Sequence, residues 1–205
     1  VSMFVLPAVG LNGVDMANPR LGETVVVYGV GLIGLGVVAA CVNRGCRVIA
    51  VDLDDRQLSL AEALGADHRI NAGNHDCAGA VQSLAPGGAD LVFECTGLPA
   101  CIDGAIALCR EKGRFVWQGN YGSEPVSMQF LPAHGRRLQM FFPCDDGGPA
   151  SRRAVVKQMA LGRLPWEQTI THRLGFEEAP ALYASIHGGE LSGTVGAIFN
   201  WQDQS

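Results

Sequence analysis

Charged residues are scarce in this sequence of 205 residues, and no two of its seven cysteines form a CxxC pair. Only 17% of the residues are charged whereas 48% are hydrophobic, which is the reverse of the balance that keeps a chain disordered. A basic surface is also missing, because the formal net charge is -5 at pH 7. This charge disfavours nucleic acids and anionic membranes as partners. The composition therefore predicts a folded domain with a large core.

The cysteine pattern excludes two further classes of protein. An odd number of cysteines in a chain of this length is not typical of a secreted, disulfide-bonded framework. Without a CxxC pair, a structural zinc site has no support. We therefore expect reduced thiols in a cytoplasmic protein.

One uncharged run is long enough to suggest a membrane helix. Residues 25–42 contain no charged side chain, and 18 residues are close to the minimum for a membrane span. Four glycines interrupt this run, however, and Glu23 and Arg44 flank it. A buried strand, a tight turn and a buried helix explain the same residues, so we expect no membrane span.

Strand and helix patterns alternate from residue 24 onward. Five short segments, several rich in β-branched residues, are predicted parallel strands: 24–28, 47–51, 68–71, 89–94 and 113–117. The segments between them are predicted helices: 35–44, 57–64, 75–84 and 99–109. This order predicts an α/β fold, namely a Rossmann-type doubly wound parallel sheet flanked by helices.

The regular alternation of strand and helix patterns ends after Gly119. We predict a sixth strand near a sheet edge at 138–142, followed by a helix at 151–161 that Ser151 caps. A short helix at 177–186 and a strand at 196–201 complete the chain, and residues 1–20 are expected to be helical.

The sequence Gly29-Val30-Gly31-Leu32-Ile33-Gly34 matches the G-x-G-x-x-G pattern. A predicted strand precedes it, a helix follows, and an acidic residue ends the next strand, as in dinucleotide-binding folds. The first glycine permits a sharp turn, the second lets the backbone approach a pyrophosphate, and the third lets helix and strand pack closely. The helix N-terminus offers N–H groups and a positive dipole end to the phosphates. The turn, with Leu32 and Ile33, is therefore a candidate cofactor-binding site.

Asp52 lies 18 residues beyond Gly34 and is the candidate ribose ligand. A carboxylate there accepts hydrogen bonds from the ribose hydroxyls of NAD and repels the 2′-phosphate of NADP. The alternative is that Asp52 only caps a turn in the acidic run 52–55. Leu53 and Arg56 complete the candidate site. Arg56 could attract a 2′-phosphate, but the neighbouring aspartates make the local field negative.

Two later turns also follow predicted strands, where ligands of open α/β sheets bind. The first is Cys95-Thr96-Gly97 and the second is Gln118-Gly119-Asn120, and we expect both to contact adenosine or nicotinamide. The alternative is that both are ordinary loops. Cys95 could be a redox thiol, although a small buried residue is the favoured interpretation.

The five histidines show no spacing typical of metal ligands. His172, within Thr171-His172-Arg173, is the most notable of them, and the favoured alternative is a surface or interface residue.

The segment 22–67 resembles the medium-chain dehydrogenase/reductase family, which includes the zinc-type alcohol and polyol dehydrogenases. The resemblance covers nearly the whole chain. It rests on these matching segments: residues 22–34, Val51-Asp52, Leu58 with 61–67, Phe93-Glu94-Cys95-Thr96-Gly97 and Thr171-His172-Arg173.

The resemblance implies an NAD-dependent oxidoreductase that transfers hydride between nicotinamide and a secondary alcohol or ketone. It also implies that a catalytic domain with the substrate site and most zinc ligands precedes this chain. Residues 1–20 would then enter from that domain, 21–165 would bind the dinucleotide, and 166–205 would return to the catalytic domain. A homodimer formed by edge strands is implied as well, with 138–142 as the candidate edge. Two alternatives stay open, namely a stand-alone NAD(H)-binding module and a dimerisation scaffold without catalysis.

Three positions depart from the family pattern. Phe4 and Val5 stand 25 and 24 residues before Gly29, where relatives carry the last catalytic zinc ligand. Neither side chain can coordinate zinc, which argues against zinc catalysis. Gln57 replaces a basic residue five positions after the ribose acid, and residues 194–197 carry no charge for the pyrophosphate.

Overall fold

The computed structural model describes residues 3–74, 76–190 and 194–201. Its centre is a six-stranded parallel sheet with the strand order β3-β2-β1-β4-β5-β6, as expected for a Rossmann-type fold. The strands are β1 (Thr24–Tyr28), β2 (Arg47–Asp52), β3 (His68–Asn71), β4 (Ala89–Glu94), β5 (Cys109–Trp117) and β6 (Gln139–Phe141). The predicted fold class is therefore confirmed, and β6 does lie at a sheet edge.

Eight α-helices flank the strands in the described part of the chain. They are α1 (Val5–Ala17), α2 (Leu32–Asn43), α3 (Asp55–Ala63), α4 (Cys77–Leu84), α5 (Ile102–Ala107), α6 (Phe130–Gly135), α7 (Gly148–Ala160) and α8 (Ala179–His187). Helices α1, α2, α3 and α7 contribute to the apolar core on one face of the sheet, and α4, α5 and α6 to the core on the other.

Strand β1 shows why both faces are covered. Val25 and Val27 belong to one core and Val26 to the other, because successive side chains of a strand point to opposite faces. All three valines are fully buried. An apolar run without polar alternation is what a strand between two helical layers requires.

Helices α2 and α3 begin three and two residues earlier than the sequence predicts. Helix α2 begins at Leu32 rather than at residue 35, directly after the glycine turn. Helix α3 begins at Asp55 rather than at residue 57, because the Asp54 side chain accepts a hydrogen bond from the Arg56 N–H at 2.8 Å. His75, the predicted first residue of another helix, lies outside the described residues, and that helix, α4, begins at Cys77.

The single helix predicted over 99–109 is wrong at both ends. A 3₁₀ helix at Pro99–Cys101 precedes α5, and Cys109 already belongs to β5, where it pairs with Ala89. This strand pairing overrides the local helical pattern. The predicted cap at Ser151 is also wrong, because α7 begins at Gly148 with Pro149 in its first turn and Ser151 is buried inside it.

The C-terminal segment forms a second, smaller sheet. Strands β7 (Ile170–Gly175) and β8 (Gly196–Asn200) pair in parallel, and α8 lies between them in sequence. The predicted strand at 196–201 corresponds to β8. Strand β7 was not predicted, because its sequence alternates polar and apolar residues only weakly.

All seven cysteines are free thiols in the structure. Among the helices of the described residues, none has the length and apolar character that crossing a bilayer would need.

Candidate functional site

The glycine turn between β1 and α2 is built by close backbone contacts. Gly29 has a left-handed backbone with φ of 90°, and its N–H donates to the Val51 carbonyl at 2.8 Å. A Cβ on Gly34 would lie 2.0 Å from the Gly29 carbonyl oxygen. The first and third glycines are thus required by the fold itself, as the pattern predicts.

At Gly31, by contrast, no described part of the protein requires the absence of a side chain. A Cβ placed on it would meet no described protein atom within 4 Å, and the residue is exposed at the N-cap of α2. The first intrahelical donor is the Leu35 N–H, which bonds to the Gly31 carbonyl, so the N–H groups of Leu32, Ile33 and Gly34 lie ahead of the helical ladder. No acidic residue occupies this first turn. The turn therefore presents backbone N–H groups at an exposed helix N-terminus, which is the kind of position where anions bind in proteins.

Asp52 ends β2 beside this turn. One carboxylate oxygen accepts the Val30 N–H at 2.7 Å, and the other accepts the N–H groups of Leu53 at 2.8 Å and Asp54 at 3.0 Å. The turn-capping role considered from the sequence is therefore real. It coexists with a position at the cavity described next, where the half-buried carboxylate is held in one orientation.

A cavity of about 320 Å³ joins these elements at the carboxyl ends of the strands. Of the predicted site residues, Gly29, Gly31, Asp52, Leu53, Cys95 and Thr96 line it. The sequence interpretation missed five further lining residues: Tyr28, Val51, Ala72, Leu98 and Cys101. Tyr28, Val51 and Ala72 lie in or next to a strand end, which is the signal that could have identified them, whereas Leu98 and Cys101 lie further along the segment that follows β4. Arg56 is exposed and does not line the cavity.

The two later turns touch each other. A Cβ on Gly97 would lie 2.7 Å from the Asn120 carbonyl oxygen, and one on Gly119 would lie 2.5 Å from the Gly97 nitrogen. Gly97 also has a left-handed φ of 69°. The ends of β4 and β5 therefore approach at backbone distance, and only glycine is compatible with this contact.

Glu94, the last residue of β4, makes hydrogen bonds to both of these turns. Its side chain is completely buried and accepts hydrogen bonds from the N–H and the hydroxyl of Thr96 and from the hydroxyl of Tyr121. Its carbonyl accepts the N–H groups of Gln118 and Gly119 at 2.9 and 2.8 Å. Burial and the hydrogen bond to Glu94 raise the pKa of Tyr121, so its hydroxyl stays a donor. The sequence interpretation missed Glu94 and Tyr121 as partners.

Gln118 points away from the cleft. Its side chain is buried and donates from Nε2 to the Val9 carbonyl of α1 at 3.2 Å. Any contact between Gln118 and a cofactor would therefore involve its backbone, and its predicted role stays a prediction.

Cys95 has the properties of a packing residue. Burial raises the pKa of its thiol well above the ordinary value, and the nearby Glu94 carboxylate raises it further. Such a thiol is protonated at neutral pH and is a poor nucleophile, which favours the non-redox interpretation.

The described residues contain no group of three or more His, Cys, Asp or Glu side chains that could hold a metal. His172 lies in β7, where its ring contacts the hydroxyl of Thr171 at 2.9 Å. Phe4 and Val5 lie at the start of α1, where neither offers a ligand atom. The residues present therefore do not fit a catalytic zinc ion.

The fold and the glycine turn define a Rossmann-type domain with a dinucleotide-binding fingerprint. The family model described as zinc-binding dehydrogenase matches residues 33–160, and the chain belongs to this family. Sorbitol dehydrogenase 1 of Saccharomyces cerevisiae is 33% identical over 202 residues, which cover 92% of this chain and 55% of that protein.

Solved structures agree with this assignment. The alcohol dehydrogenase of Thermus sp. ATN1 has a TM-score of 0.85 at 25% identity, covering 96% of this chain and 56% of that one. A zinc-binding dehydrogenase from Sinorhizobium meliloti 1021, solved with NADP bound, has a TM-score of 0.78 at 27% identity, covering 87% and 53%. The chain thus spans about half the length of the relatives that it matches.

Proposed function

We propose that this chain binds NAD and forms the coenzyme-binding part of an alcohol or polyol dehydrogenase. The observation that carries the proposal is Gly31, whose missing side chain leaves open space at the N-terminus of α2, next to Asp52. A pyrophosphate is the group that such a helix end and such a gap suit. The sorbitol and alcohol dehydrogenases among the relatives support a secondary alcohol or its ketone as the substrate.

Each group then has a defined task. The N–H groups at the start of α2 bind the pyrophosphate, and Asp52 accepts the ribose hydroxyls. The paired turns at Gly97 and Gly119 bound the cleft at the ends of β4 and β5. The bound cofactor supplies the hydride chemistry, while the protein binds and orients it. No step is assigned to zinc, because Phe4 and Val5 offer no ligand where the family carries one.

NAD is proposed over NADP because of charge. Three backbone N–H groups hold the Asp52 carboxylate in place at the cleft. A 2′-phosphate beside it would meet electrostatic repulsion, and Asp54 and Asp55 add to the negative field. One relative was solved with NADP, so the proposal rests on these residues and not on the family.

The C-terminal segment supports a role as part of a larger enzyme. Tyr183 and Trp201 expose 65% and 77% of their surfaces, and the two-stranded sheet β7–β8 is short for an independent unit. We infer that residues 166–205 return to a catalytic domain, that residues 1–20 enter from it, and that β6 is a dimer edge. The intact mass of the natural gene product tests this idea. A mass near 21.6 kDa would instead favour a stand-alone module or scaffold.

Cofactor choice is tested by titrating the chain with NADH and NADPH, followed by nicotinamide fluorescence. Asp52→Asn keeps the shape and one acceptor oxygen but removes the charge. We expect NADH to bind roughly tenfold more weakly, since a charge-assisted hydrogen bond is lost, and NADPH to bind more tightly. Glu124→Gln removes one charge from an exposed site and serves as the control. Unchanged affinity for both cofactors in Asp52→Asn would show that the assignment of Asp52 is wrong.

A further inference from the structure

A second cavity, which we call the amino-edge groove, has a volume of about 350 Å³. Its lining includes Glu23, which directly precedes β1, and Arg110 and Lys112 from the first half of β5. These residues lie at the amino ends of the strands. Tyr28 and Asp52, which line the cofactor cleft, lie at the carboxyl ends. The groove is thus at the opposite edge of the sheet from the cleft.

The groove is strongly cationic in a protein with a formal net charge of -5. Two chain segments supply four cationic side chains to its lining, namely Arg20, Arg110, Lys112 and Arg114. Glu23 is the single acidic residue among the described lining residues. The carboxamides of Asn18 and Gln139 add neutral donors. This lining is rich in hydrogen-bond donors of the kind that bind anions.

Two of the cations are already neutralised and fixed. Arg114 pairs with Glu23 and donates to the carbonyls of Ala17 and Asn18 at 2.6 and 2.9 Å. Arg110 pairs with Asp90 at 2.7 Å and also donates to the Glu111 carbonyl. These interactions fix the walls of the groove, and they pair the carboxylates of Glu23 and Asp90 with Arg114 and Arg110.

Arg20 and Lys112 are different. In the described ranges 3–74, 76–190 and 194–201, neither side chain has a hydrogen bond or an ion pair. Both residues are exposed, and Lys112 has a left-handed backbone with φ of 54°, a conformation that costs energy for a lysine. Two positive charges without an ion-pair partner among the described residues therefore line one cavity, which is suited to an anion.

We propose that the amino-edge groove binds a small molecule through its phosphate or pyrophosphate group, with Arg20 and Lys112 as the charged ligands. A phosphate carries close to two negative charges at neutral pH, which matches the two uncompensated cations better than a single carboxylate does. Arginine and lysine are the side chains that bind phosphate in proteins. The proposal does not depend on cofactor binding at the other edge of the sheet.

The test is isothermal titration of the whole chain with inorganic pyrophosphate, against sodium chloride of equal ionic strength. Binding is expected in the wild-type protein and should weaken about tenfold or more in the Arg20→Gln/Lys112→Gln double variant, since two charge-assisted contacts are lost. The control double variant, Lys157→Gln/Arg163→Gln, removes the same charge from exposed positions elsewhere and should bind as the wild type does. Circular dichroism checks that every variant is folded.

A third variant separates the groove from the glycine turn, which also suits pyrophosphate. Gly31→Val fills the gap at the start of α2 and should leave binding at the groove intact. Loss of the heat signal in Gly31→Val, with the signal retained in Arg20→Gln/Lys112→Gln, would place the anion at the turn and overturn the proposal. Equal losses in both charge-removal variants, or no binding beyond the salt control, would overturn it as well.

Discussion

The hydroxyl of Tyr121 donates a hydrogen bond to the fully buried carboxylate of Glu94. Glu94 lies at the end of β4 and Tyr121 lies four residues beyond the end of β5, so the bond joins the two turns beside the proposed cofactor cleft. A buried carboxylate is costly unless donors satisfy it, and here Thr96 and Tyr121 supply them. The relationship connects the stability of the domain to the shape of its proposed site.

Tyr121→Phe should therefore lower both stability and cofactor affinity. Removing one donor from a buried carboxylate costs about 1–3 kcal/mol, and each kcal/mol corresponds to a fall in Tm of roughly 2–4 °C for a domain of this size. Thermal unfolding followed by circular dichroism measures this loss, and NADH titration measures the change in affinity. Tyr183→Phe, at an exposed position on α8, is the matched control. An unchanged Tm in Tyr121→Phe would mean that the hydrogen bond contributes nothing.

The two glycines of the turn should separate folding from binding. Gly34→Ala places a Cβ 2.0 Å from the Gly29 carbonyl, so we expect a loss of several kcal/mol in the free energy of unfolding. Gly31→Ala meets no described protein atom within 4 Å and its φ of -64° suits alanine, so stability should change by less than about 0.5 kcal/mol. NADH affinity should nevertheless fall in Gly31→Ala. Tight NADH binding by this variant would contradict the assignment of the turn.

The buried thiol of Cys109 should make stability depend on alkaline pH. Burial raises the pKa of Cys109 from 9.0 to about 12 in the folded protein. Because the folded-state pKa is the higher one, the contribution to stability is complete below pH 9 and is lost as the pH rises from 9 towards 12. The slope attributable to this thiol is at most about 1.4 kcal/mol per pH unit.

Urea unfolding of the wild type and of Cys109→Ala at pH 8 and pH 10.5 measures this difference. The variant should lose less stability between the two pH values, since the other cysteines and tyrosines titrate equally in both proteins. Parallel curves for the two proteins would exclude Cys109 as a source of the pH dependence. Cys144→Ala is the control, because that cysteine is exposed.

Much of the fold could be predicted from the sequence, because short strand-like segments, most of them rich in apolar residues, alternate with helical segments. Strands β1, β3 and β4 lie where the pattern predicts them, to the residue. Helix starts were predicted less well, because a cap such as Asp54 acts through its side-chain geometry. The predicted end of the helix over 99–109 was wrong for a different reason. Cys109 pairs with Ala89 in the sheet, and this contact joins residues that are distant in the sequence.

The candidate site divides in the same way. The turn from Gly29 to Gly34 and the position of Asp52 follow from local spacing, so the sequence alone made them candidates. The direction of the Gln118 side chain, towards Val9 of α1, was not predictable from spacing. The bond between Glu94 and Tyr121 joins residues 27 positions apart, and no local pattern indicates it.

The sequence by itself determined the alternation of strands and helices, the glycine turn after β1 and the acid at the end of β2, because each of these depends on residues close together along the chain. Only the tertiary structure decided which turns touch, which carboxylate they enclose and where Arg20 and Lys112 line one groove. Those relationships depend on how the strands stack side by side. Segments that are distant in the chain become neighbours only when the apolar faces of the sheet are buried beneath the helices.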